Sequence, residues 1–431
     1  MKLRNSAMLR QVSPRNRERG ATAVQLAVII VPVLFGMIGF AVDLGILYSA
    51  KGEIKAGASA MALAAAGQLI GTDQSADAAS AAAQQTLESS SNSGNKYYFQ
   101  GLPLGQTSGR LSSTVSSPGY FATLADALAS SGATEVSGSL ARHVRVTITG
   151  ETPLLFWSFL PLATDRKVAV MATAVAGFSA PLCTACGIEP FGVAALNASD
   201  PADFGFVAGV RYSLTYLCNG APAPGLLAGA SQRINYVLLN RLDTAAVVFP
   251  DESAQIFRAA AGGLPGNTNS AQACFRVNAS ETVWANVLIN QCSANRVDPL
   301  ATAALCGLAA RFDSTTPATV CPGVTGIETL TGIYQPDTDT SDYDAYTDYT
   351  GAGRRILTIP ILDTLSGTAS MTVLGFRQFL LLPASGGTSL TASDPFGRFA
   401  AMYIGSVAPV KQGRFDGCSQ TAGPGKVVLH Q

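Results

Sequence analysis

An uncharged apolar run from Ala21 to Val42 constrains this chain more than any other feature. Its only polar side chains belong to Thr22 and Gln25. At a rise of ~1.5 Å per residue, a helix of this length spans about 33 Å, which matches a bilayer core of ~30 Å. Pro32 lies mid-run, where it removes one backbone hydrogen bond and is expected to kink the helix. The sequence therefore predicts one transmembrane helix, assigned to residues 21–50.

The charges around this run predict its orientation. Residues 1–20 carry six Lys and Arg side chains against a single acid, Glu18. By the positive-inside rule such a leader stays in the cytoplasm, and Asp43 then falls at the outer edge, where water can solvate it. The alternative is a cleavable signal peptide, whose apolar core is typically only ~7–15 residues long. We therefore expect a single-pass protein of the cell (inner) membrane, with a cytoplasmic N-terminus and an extracytoplasmic bulk.

Alanine-rich sequence beyond the membrane predicts a helical stalk over residues 51–90. Ile54–Ile70 and Asp77–Leu87 are both rich in strong helix formers. Between them, Gly71–Asp73 predicts a break followed by a new N-cap. Small side chains let helices approach closely. The pattern therefore fits a stalk that packs against a partner helix as well as one that folds back onto its own domain.

Short motifs follow one another in a characteristic order at the N-terminus. They are Gly20–Gln25, Pro32, Ala41–Gly45 (AVDLG) and the Ala-rich Ala56–Ala66. In this order they resemble the TadE/TadG-like N-terminal membrane region of the TadG-like proteins of Flp (Tad) pilus assembly. Later segments are similar to the same family, so that the resemblance covers residues 15–178. These segments are His143–Thr149, Phe156–Trp157 and Val168–Ala176.

The chain departs from that family at Ser59, where Asp is usual, and at Lys55, where Gln is frequent. The resemblance implies a bitopic envelope protein that assists the assembly of a type IV-like pilus and is not an enzyme. It also implies contacts with the lipid bilayer and, through the transmembrane and stalk helices, with other pilus-assembly proteins. The oligomeric state stays open.

The same resemblance directs attention to Gly20 and Gln25. Type IV-like pilin precursors are cut after a Gly, and a Glu five residues into the mature chain promotes assembly. Here Gly20 follows the basic leader, but the fifth residue beyond it is Gln25. Gln lacks the negative charge that attracts a neighbouring subunit's amine in a low-dielectric environment. We therefore expect an anchored accessory component, unprocessed at Gly20, rather than a major pilin.

A small α/β unit is predicted over residues 91–180. His143–Thr149 alternates apolar and polar side chains, the period-2 pattern of a half-buried strand, and Lys167–Ala176 repeats it. Between the two strands, Thr152–Leu160 is expected to form a short helix that Pro153 opens. His143 lies close to two arginines, and we expect it on the surface rather than acting as a base.

All cysteines of the chain lie in a domain predicted over residues 181–431. Eight cysteines confined to the exported part predict a disulfide framework in an oxidising compartment, with connectivity left open. They are Cys183, Cys186, Cys218, Cys274, Cys292, Cys306, Cys321 and Cys418. For the Cys-x-x-Cys motif of Cys183 and Cys186, a redox site and a zinc site are the alternatives. Pro181 and Gly187 bracket the motif in a predicted turn, which favours structural disulfides.

Short apolar runs cut by Gly, Pro and Asn or Asp turns predict a β-rich fold for this domain. The predicted strands are Arg355–Leu362, Met371–Leu382, Arg398–Val407 and Lys426–His430. The predicted helices are Arg233–Arg241 and Glu252–Ala261, and the core candidates are Phe376, Phe379, Phe399 and Tyr403. The expected fold class is α+β: a single N-terminal transmembrane helix and an Ala-rich helical stalk, then a β-rich, disulfide-containing extracytoplasmic domain.

An acidic cluster interleaved with tyrosines stands out between residues 337 and 348. Carboxylates at this density suit Ca²⁺, which takes ~6–8 oxygen ligands. The candidate ligands are Asp337, Asp339, Asp342 and Asp344. The spacing does not fit an EF-hand, because the sixth position from Asp337 is Asp342 instead of Gly. We expect a solvated acidic loop, partly neutralised by Arg354 and Arg355.

Composition argues against several classes of function. The chain carries 28 basic and 28 acidic side chains, whereas a nucleic-acid-binding protein needs a basic face. His143 and His430 are its only histidines, and no Gly-x-Ser-x-Gly or P-loop motif occurs. We therefore expect no catalytic activity, no cofactor and no metal ion. The alternatives are an exported adhesin or Ca²⁺-dependent binding module that uses the acidic loop, and an exported thiol oxidoreductase that uses Cys183 and Cys186.

Overall fold

The chain forms two compact units by its internal contacts. Unit 1 comprises Met1–Gly57, Ser91–Val115 and Ile148–Ala172, and unit 2 comprises Ala58–Ser90, Ser116–Thr147 and Thr173–Gln431. The computed structural model describes residues 15–87, 112–115, 118–129, 132–154, 156–157, 167–217, 224–239, 257–258, 260–263, 274–282, 299–312, 321, 337, 346–351, 353–367, 369–382, 390 and 394–430.

The elements of the described residues are mostly strands. The helices are α1 (Arg15–Ala66), α2 (Ser75–Leu87), α3 (Leu124–Leu128) and α4 (Pro299–Ala309). The strands are β1 (Ser112–Val115), β2 (Gly119–Phe121), β3 (His143–Pro153), β4 (Lys167–Phe178), β5 (Thr184–Cys186), β6 (Phe191–Ala194), β7 (Arg211–Tyr216), β8 (Gln232–Leu238), β9 (Cys274–Arg276), β10 (Ser280–Glu281), β11 (Ile356–Leu362), β12 (Met371–Leu381), β13 (Phe399–Gly405), β14 (Gln412–Arg414) and β15 (Val427–His430).

Between Val24 and Val42, the first helix, α1, exposes apolar side chains around its whole circumference. Val24 is 64% exposed and Phe35 is 66% exposed. The helix continues through Pro32, so the transmembrane helix and the first stalk helix, predicted separately, are one element. The predicted break falls between α1 and α2, where Gly71 has a φ of 84°, a left-handed conformation that favours glycine.

The first sheet has the strand order β1-β3-β4-β15, and β2 also pairs with β3. Strands β3 and β4 confirm the two strands predicted within residues 91–180. However, β3 extends to Pro153, so the helix predicted to begin at Thr152 is wrong at its start. The reason is the antiparallel pairing with β1, which places Ser112 opposite Glu151 and continues the ladder up to that point.

A second sheet, within unit 2, closes on itself. Its strand order is β10-β12-β11-β6-β8-β7-β13, and β13 pairs again with β12. Six strands therefore form a closed barrel, and β10 is attached to it at β12. The β6–β11 and β7–β8 pairs are parallel, whereas β6–β8, β7–β13, β11–β12 and β12–β13 are antiparallel.

Aromatic rings fill the barrel interior. Phe191 of β6 contacts Phe399 of β13 with ring centroids 5.4 Å apart, although these two strands are not neighbours. Residues of α4 belong to the same apolar cluster. Each large apolar side chain buried in this way contributes about 1.5–3 kcal/mol to folding. The predicted core residues are all buried, namely Phe376, Phe379, Phe399 and Tyr403.

Strands β11, β12, β13 and β15 confirm the four predicted strands. The helix predicted over Arg233–Arg241 is wrong, because its first residues form β8, which is held between β6 and β7. In β8, Ile234 and Tyr236 alternate with more exposed positions, as in a strand. Residues 257–258 and 260–261 are helical, in line with the helix predicted over Glu252–Ala261, whose remaining residues lie outside the described part.

The third sheet is small, with the order β14-β5-β9, and disulfides cross-link it. Cysteines in register on β5 and β9 are bonded to each other. The disulfides of the described residues join Cys186 with Cys274, Cys183 with Cys418 and Cys306 with Cys321. The α+β class with disulfides in its β-rich part is therefore confirmed. Cys218 and Cys292 lie outside the described residues.

Candidate functional site

Among the described residues, Ala23–Ala66 is the one helix that is long and apolar enough to cross a membrane. Its most apolar window has a mean hydropathy of 2.4, and only 6% of that window is buried by the rest of the chain. Gln25 and Pro32 are exposed on this helix, and Gly20 belongs to its N-terminal part. The residues of the pilin-like motif thus share one helix.

Where the apolar run ends, Asp43 binds the turn that follows β3. Its carboxylate accepts hydrogen bonds from the backbone N–H groups of Phe156, at 3.1 Å, and Trp157, at 2.9 Å. Asp43 is buried, so the expectation that water solvates it is wrong, because backbone donors take the place of water. A carboxylate that accepts N–H groups at the start of a helical turn acts as an N-cap does.

Gly39 lies one turn before Asp43 and makes room for the ring of Phe156. A Cβ atom on Gly39 would lie only 2.0 Å from the nearest carbon of that ring. Residues at i and i+4 share a helix face, so α1 presents Gly39 and Asp43 together to the turn at Phe156 and Trp157. We name these four residues the exit clamp. The AVDLG motif contains Asp43 of the clamp. However, Phe156 is 113 residues away, so no local sequence pattern predicts their contact.

The small-residue face of the stalk is covered by the chain itself. Buried side chains recur at helical spacing along the end of α1, at Ala58, Met61, Ala62 and Ala65. Within unit 2, α2 is tied down by polar contacts: the Tyr120 hydroxyl donates to the Ala76 carbonyl at 2.9 Å, and the Ser75 hydroxyl to the Gly138 carbonyl at 2.9 Å. Of the two open alternatives, the structure therefore has the stalk folded onto its own domain.

The two histidines of the chain are in contact within unit 2. The rings of His143 on β3 and His430 on β15 meet edge to face, 5.3 Å between centroids. His143 is only 9% exposed, so the expected surface position is wrong, because distant sequence in β15 joins the same sheet. Burial, with smaller contributions from nearby His430 and Arg142, lowers the pKa of His143 to about 4. Its imidazole is therefore neutral at pH 7.

Asp337 lies in the core and not in a solvated loop. Its carboxylate is 3.3 Å from the Arg355 guanidinium, and both side chains are fully buried. The Tyr349 hydroxyl donates to the same carboxylate, and Arg355 stacks over the Tyr349 ring at 4.8 Å. A buried carboxylate needs such partners, so the expected solvation of Asp337 is wrong, whereas its neutralisation by Arg355 agrees with the expectation. The other candidate calcium ligands lie outside the described residues, namely Asp339, Asp342 and Asp344.

The Cys-x-x-Cys motif does not contain a paired dithiol. Cys183 is bonded to Cys418, and Cys186 is bonded to Cys274. An oxidoreductase of this type cycles between a dithiol and a disulfide within the motif. Here each cysteine is instead bonded to a distant partner and buried. A zinc site would need the same two sulfurs as thiolates, and both are in disulfides here.

A cavity of about 520 Å³ lies in unit 2 beside a second buried ion pair. Glu189 accepts hydrogen bonds from the Arg311 guanidinium and from the backbone N–H of Thr358, the latter at 2.7 Å. This pair ties the segment after α4 to β11. No local sequence pattern marks this pair, because its two members are 122 residues apart and belong to no motif. Among the described residues, no group of three or more His, Cys, Asp or Glu side chains is placed to hold a metal ion.

The fold defines a class of protein first: one long apolar N-terminal helix, which fits a single-pass membrane anchor, followed by a β-rich, disulfide-bonded body. Residues 64–176 match the Tad_C family model, described as Tad-like Flp pilus-assembly. The matched region runs from the last turn of α1 to β4. The match supports a Tad-related protein involved in pilus assembly, as the resemblance to the TadG-like proteins predicted. No curated protein and no solved structure matches the chain.

Proposed function

We propose that this protein is a membrane-anchored, non-catalytic accessory component of Flp (Tad) pilus assembly. One observation carries the proposal: the Tad-like region begins on the same continuous helix whose earlier residues are apolar and exposed. A segment of bilayer length therefore continues as one helix, through residues 43–63, into the pilus-assembly region.

The proposed topology places the N-terminus in the cytoplasm and the bulk outside, in the cell (inner) membrane. The basic leader supports this orientation, and so do the disulfides, which persist in oxidising compartments. The proposed organisation is a leader (1–20), a transmembrane segment (21–50), a stalk (51–90), a small α/β unit (91–180) and a Cys-containing β-rich domain (181–431).

The carboxylates, cysteines and histidine that could act in catalysis have structural roles instead, which supports a non-catalytic function. The carboxylates of Glu189 and Asp337 are engaged by arginines, and Cys183 and Cys186 are in separate disulfides. His143 is neutral and buried. A general acid, base or nucleophile must instead reach a substrate and exchange protons with it.

The proposed partners are lipid and other pilus-assembly proteins. Because the chain itself covers the buried face of the stalk, we propose that partner proteins contact α1 through its exposed apolar segment. Gly36 lies there with nothing within 4 Å of its Cβ position, which leaves room for a close helix contact.

A topology reporter tests the orientation. A reporter that is active only outside the cytoplasm, fused after Gln431, is expected to be active. The same reporter fused after Gly20 is the matched control and is expected to be silent. Cytoplasmic signal from the fusion after Gln431 would overturn both the orientation and the compartment in which we place the disulfides.

Fractionation tests the accessory role. Purified pili and membranes are separated, and the N-terminus of this protein is sequenced in each. We expect the protein in the membrane fraction with residues 1–20 intact, because Gln25 lacks the charge of the pilin Glu. Abundant protein in pili, beginning at Ala21, would contradict the accessory role.

A further inference from the structure

We propose that the exit clamp seats Trp157 in the outer head-group layer of the membrane, so that the protein meets lipid at a second point beside α1. The inference rests on the proposed function, since it requires α1 to span the bilayer. The clamp consists of Gly39, Asp43, Phe156 and Trp157, which all belong to unit 1.

The level of Trp157 follows from its hydrogen bond to α1. The apolar run ends at Val42, so Asp43 marks the level at which the hydrocarbon core gives way to head groups. The backbone N–H of Trp157 lies 2.9 Å from the Asp43 carboxylate. The backbone of Trp157 is therefore held at the level of Asp43, and the indole extends from there. Trp157 cannot move along α1 without breaking this hydrogen bond.

The chemistry of the exposed side chains suits an interface. Trp157 is 48% exposed. Tyr48 lies on α1 about 7.5 Å beyond Asp43, at ~1.5 Å per residue, and is 73% exposed. Trp and Tyr concentrate at membrane interfaces because the ring enters the apolar layer while the N–H or O–H stays hydrated. The sequence carries no charged residue from Thr152 to Thr164, so the segment around Trp157 adds no charge of its own to the Asp43 carboxylate, which is already engaged by backbone N–H groups.

Continuity with the exposed face of α1 identifies lipid as the occupant. Phe40 and Val42 are among the exposed apolar residues of the helix just before Asp43. Trp157 is bonded at the end of that surface, so the medium that surrounds Phe40 and Val42 also reaches it. In the proposed topology that medium is the outer leaflet.

The chain contains only two tryptophans, Trp157 and Trp284, which allows a direct test. The full-length protein is reconstituted into vesicles of phosphatidylethanolamine and phosphatidylglycerol that contain phosphatidylcholine brominated either near the head group or near the chain end. The variant Trp284→Phe reports on Trp157 alone, and Trp157→Phe is the matched control. We expect W284F to lose most of its emission with the shallow bromines and less with the deep ones, while W157F stays bright.

Adding Asp43→Ala to W284F removes the hydrogen-bond acceptor. We expect this double variant to stay in the membrane, to lose the preference for shallow bromines, and to emit at longer wavelength. An unchanged preference would overturn the role of the clamp.

Alkaline carbonate extraction separates the two proposals. If W284F stays with the vesicles but is not quenched, the lipid contact of Trp157 is wrong and the anchor stands. The same holds if the emission is quenched only after a protein partner is removed, because protein then occupies the site. If carbonate releases the protein, the anchor is wrong and the lipid contact fails with it.

Discussion

The apolar side chains of α1 and of the barrel share their chemistry but have opposite surroundings. Phe35 of α1 is exposed, whereas Phe191 and Tyr236 of the barrel are fully buried. Apolar composition therefore identifies the side chains that avoid water, but it does not show whether they lie on an exposed helix surface or in a buried core. The surroundings differ: the apolar run of α1 exposes side chains around the whole helix, whereas the barrel strands are buried along most of their length and close around an interior of their own.

Carboxylates are treated differently in the two regions as well. Asp43 on α1 is held by backbone N–H groups of a neighbouring turn. In the barrel region, Asp337 and Glu189 are each paired with a buried arginine. Disulfides also belong to one region alone, because the first 182 residues contain no cysteine. The barrel region is thus stabilised by distant parts of the chain, whereas we expect α1 to depend on its medium.

The largest expected effect comes from a disulfide. Replacing Cys183 and Cys418 by Ala is expected to lower the free energy of unfolding of the barrel region by roughly 5 kcal/mol, because the bond closes a very long loop. Replacing Cys306 and Cys321, 15 residues apart, is expected to cost about 3 kcal/mol. Denaturant unfolding in detergent measures both. The helix signal of α1 should persist under reducing conditions, and its loss there would show that the two regions are not independent.

The buried ion pair comes next. Asp337→Ala leaves the Arg355 charge buried without its carboxylate and is expected to cost about 3–5 kcal/mol. The matched control is Glu151→Ala, whose pair with Lys167 is half exposed on both sides and is worth at most about 1 kcal/mol. Unfolding midpoints of both variants in the same detergent provide the comparison. Equal costs would mean that Asp337 is solvated in the protein.

Glycines give a smaller contrast. A Cβ on Gly307 of α4 would lie 2.1 Å from the Arg258 carbonyl oxygen, whereas Gly36 of α1 has nothing within 4 Å. We expect Gly307→Ala to lower stability by about 1–3 kcal/mol through overpacking. Gly36→Ala should leave the melting temperature unchanged or slightly raised, since Ala is the better helix former. A large loss from Gly36→Ala would indicate that α1 is packed against something other than lipid.

The histidine pair predicts a pH dependence confined to unit 2. The pKa of His143 is lowered to about 4 in the folded protein, against ~6.5 in an unfolded chain. The unfolded chain therefore binds more protons in this range, so the stabilisation is complete above pH ~6.5 and is lost as the pH falls towards 4. We expect the melting temperature to fall over that window.

His143→Phe is the control for this prediction. Carboxylates also titrate towards pH 4, so the informative quantity is the difference between the variant and the parent protein at each pH. That difference should shrink or reverse below pH 6.5. A difference that stays constant from pH 7.5 to 4.5 would show that His143 contributes nothing to the pH dependence.

The sequence predicted the elements whose pattern is local. The apolar run, the break near Gly71 and the four strands with Phe379 and Tyr403 in the core were all readable from spacing and turn residues. The helix predicted in place of β8 shows the limit, because neighbouring strands decided its conformation. The closure of the barrel depends on one pairing, β12 with β13, that no periodicity reveals.

The candidate site divides in the same way. Asp43 stood out because it ends the apolar run, but its bonds to the turn at Phe156 join residues more than a hundred positions apart. For Asp337, the nearby arginines indicated neutralisation, but the acidic neighbours suggested a solvated loop, and the structure buries the Asp337–Arg355 pair instead. Composition shows that opposite charges are available, but not that they are buried together.

Closure of the barrel also bears on how the protein behaves among assembling subunits. Among the described residues, each of the six barrel strands has a neighbour on both sides, so none of them is an edge strand, and only the short β10 pairs on one side alone. Open strand edges recruit extended chains and lead to aggregation or unintended polymerisation. We therefore expect this barrel to tolerate crowding against growing pili and against other copies of itself without adding a strand to either.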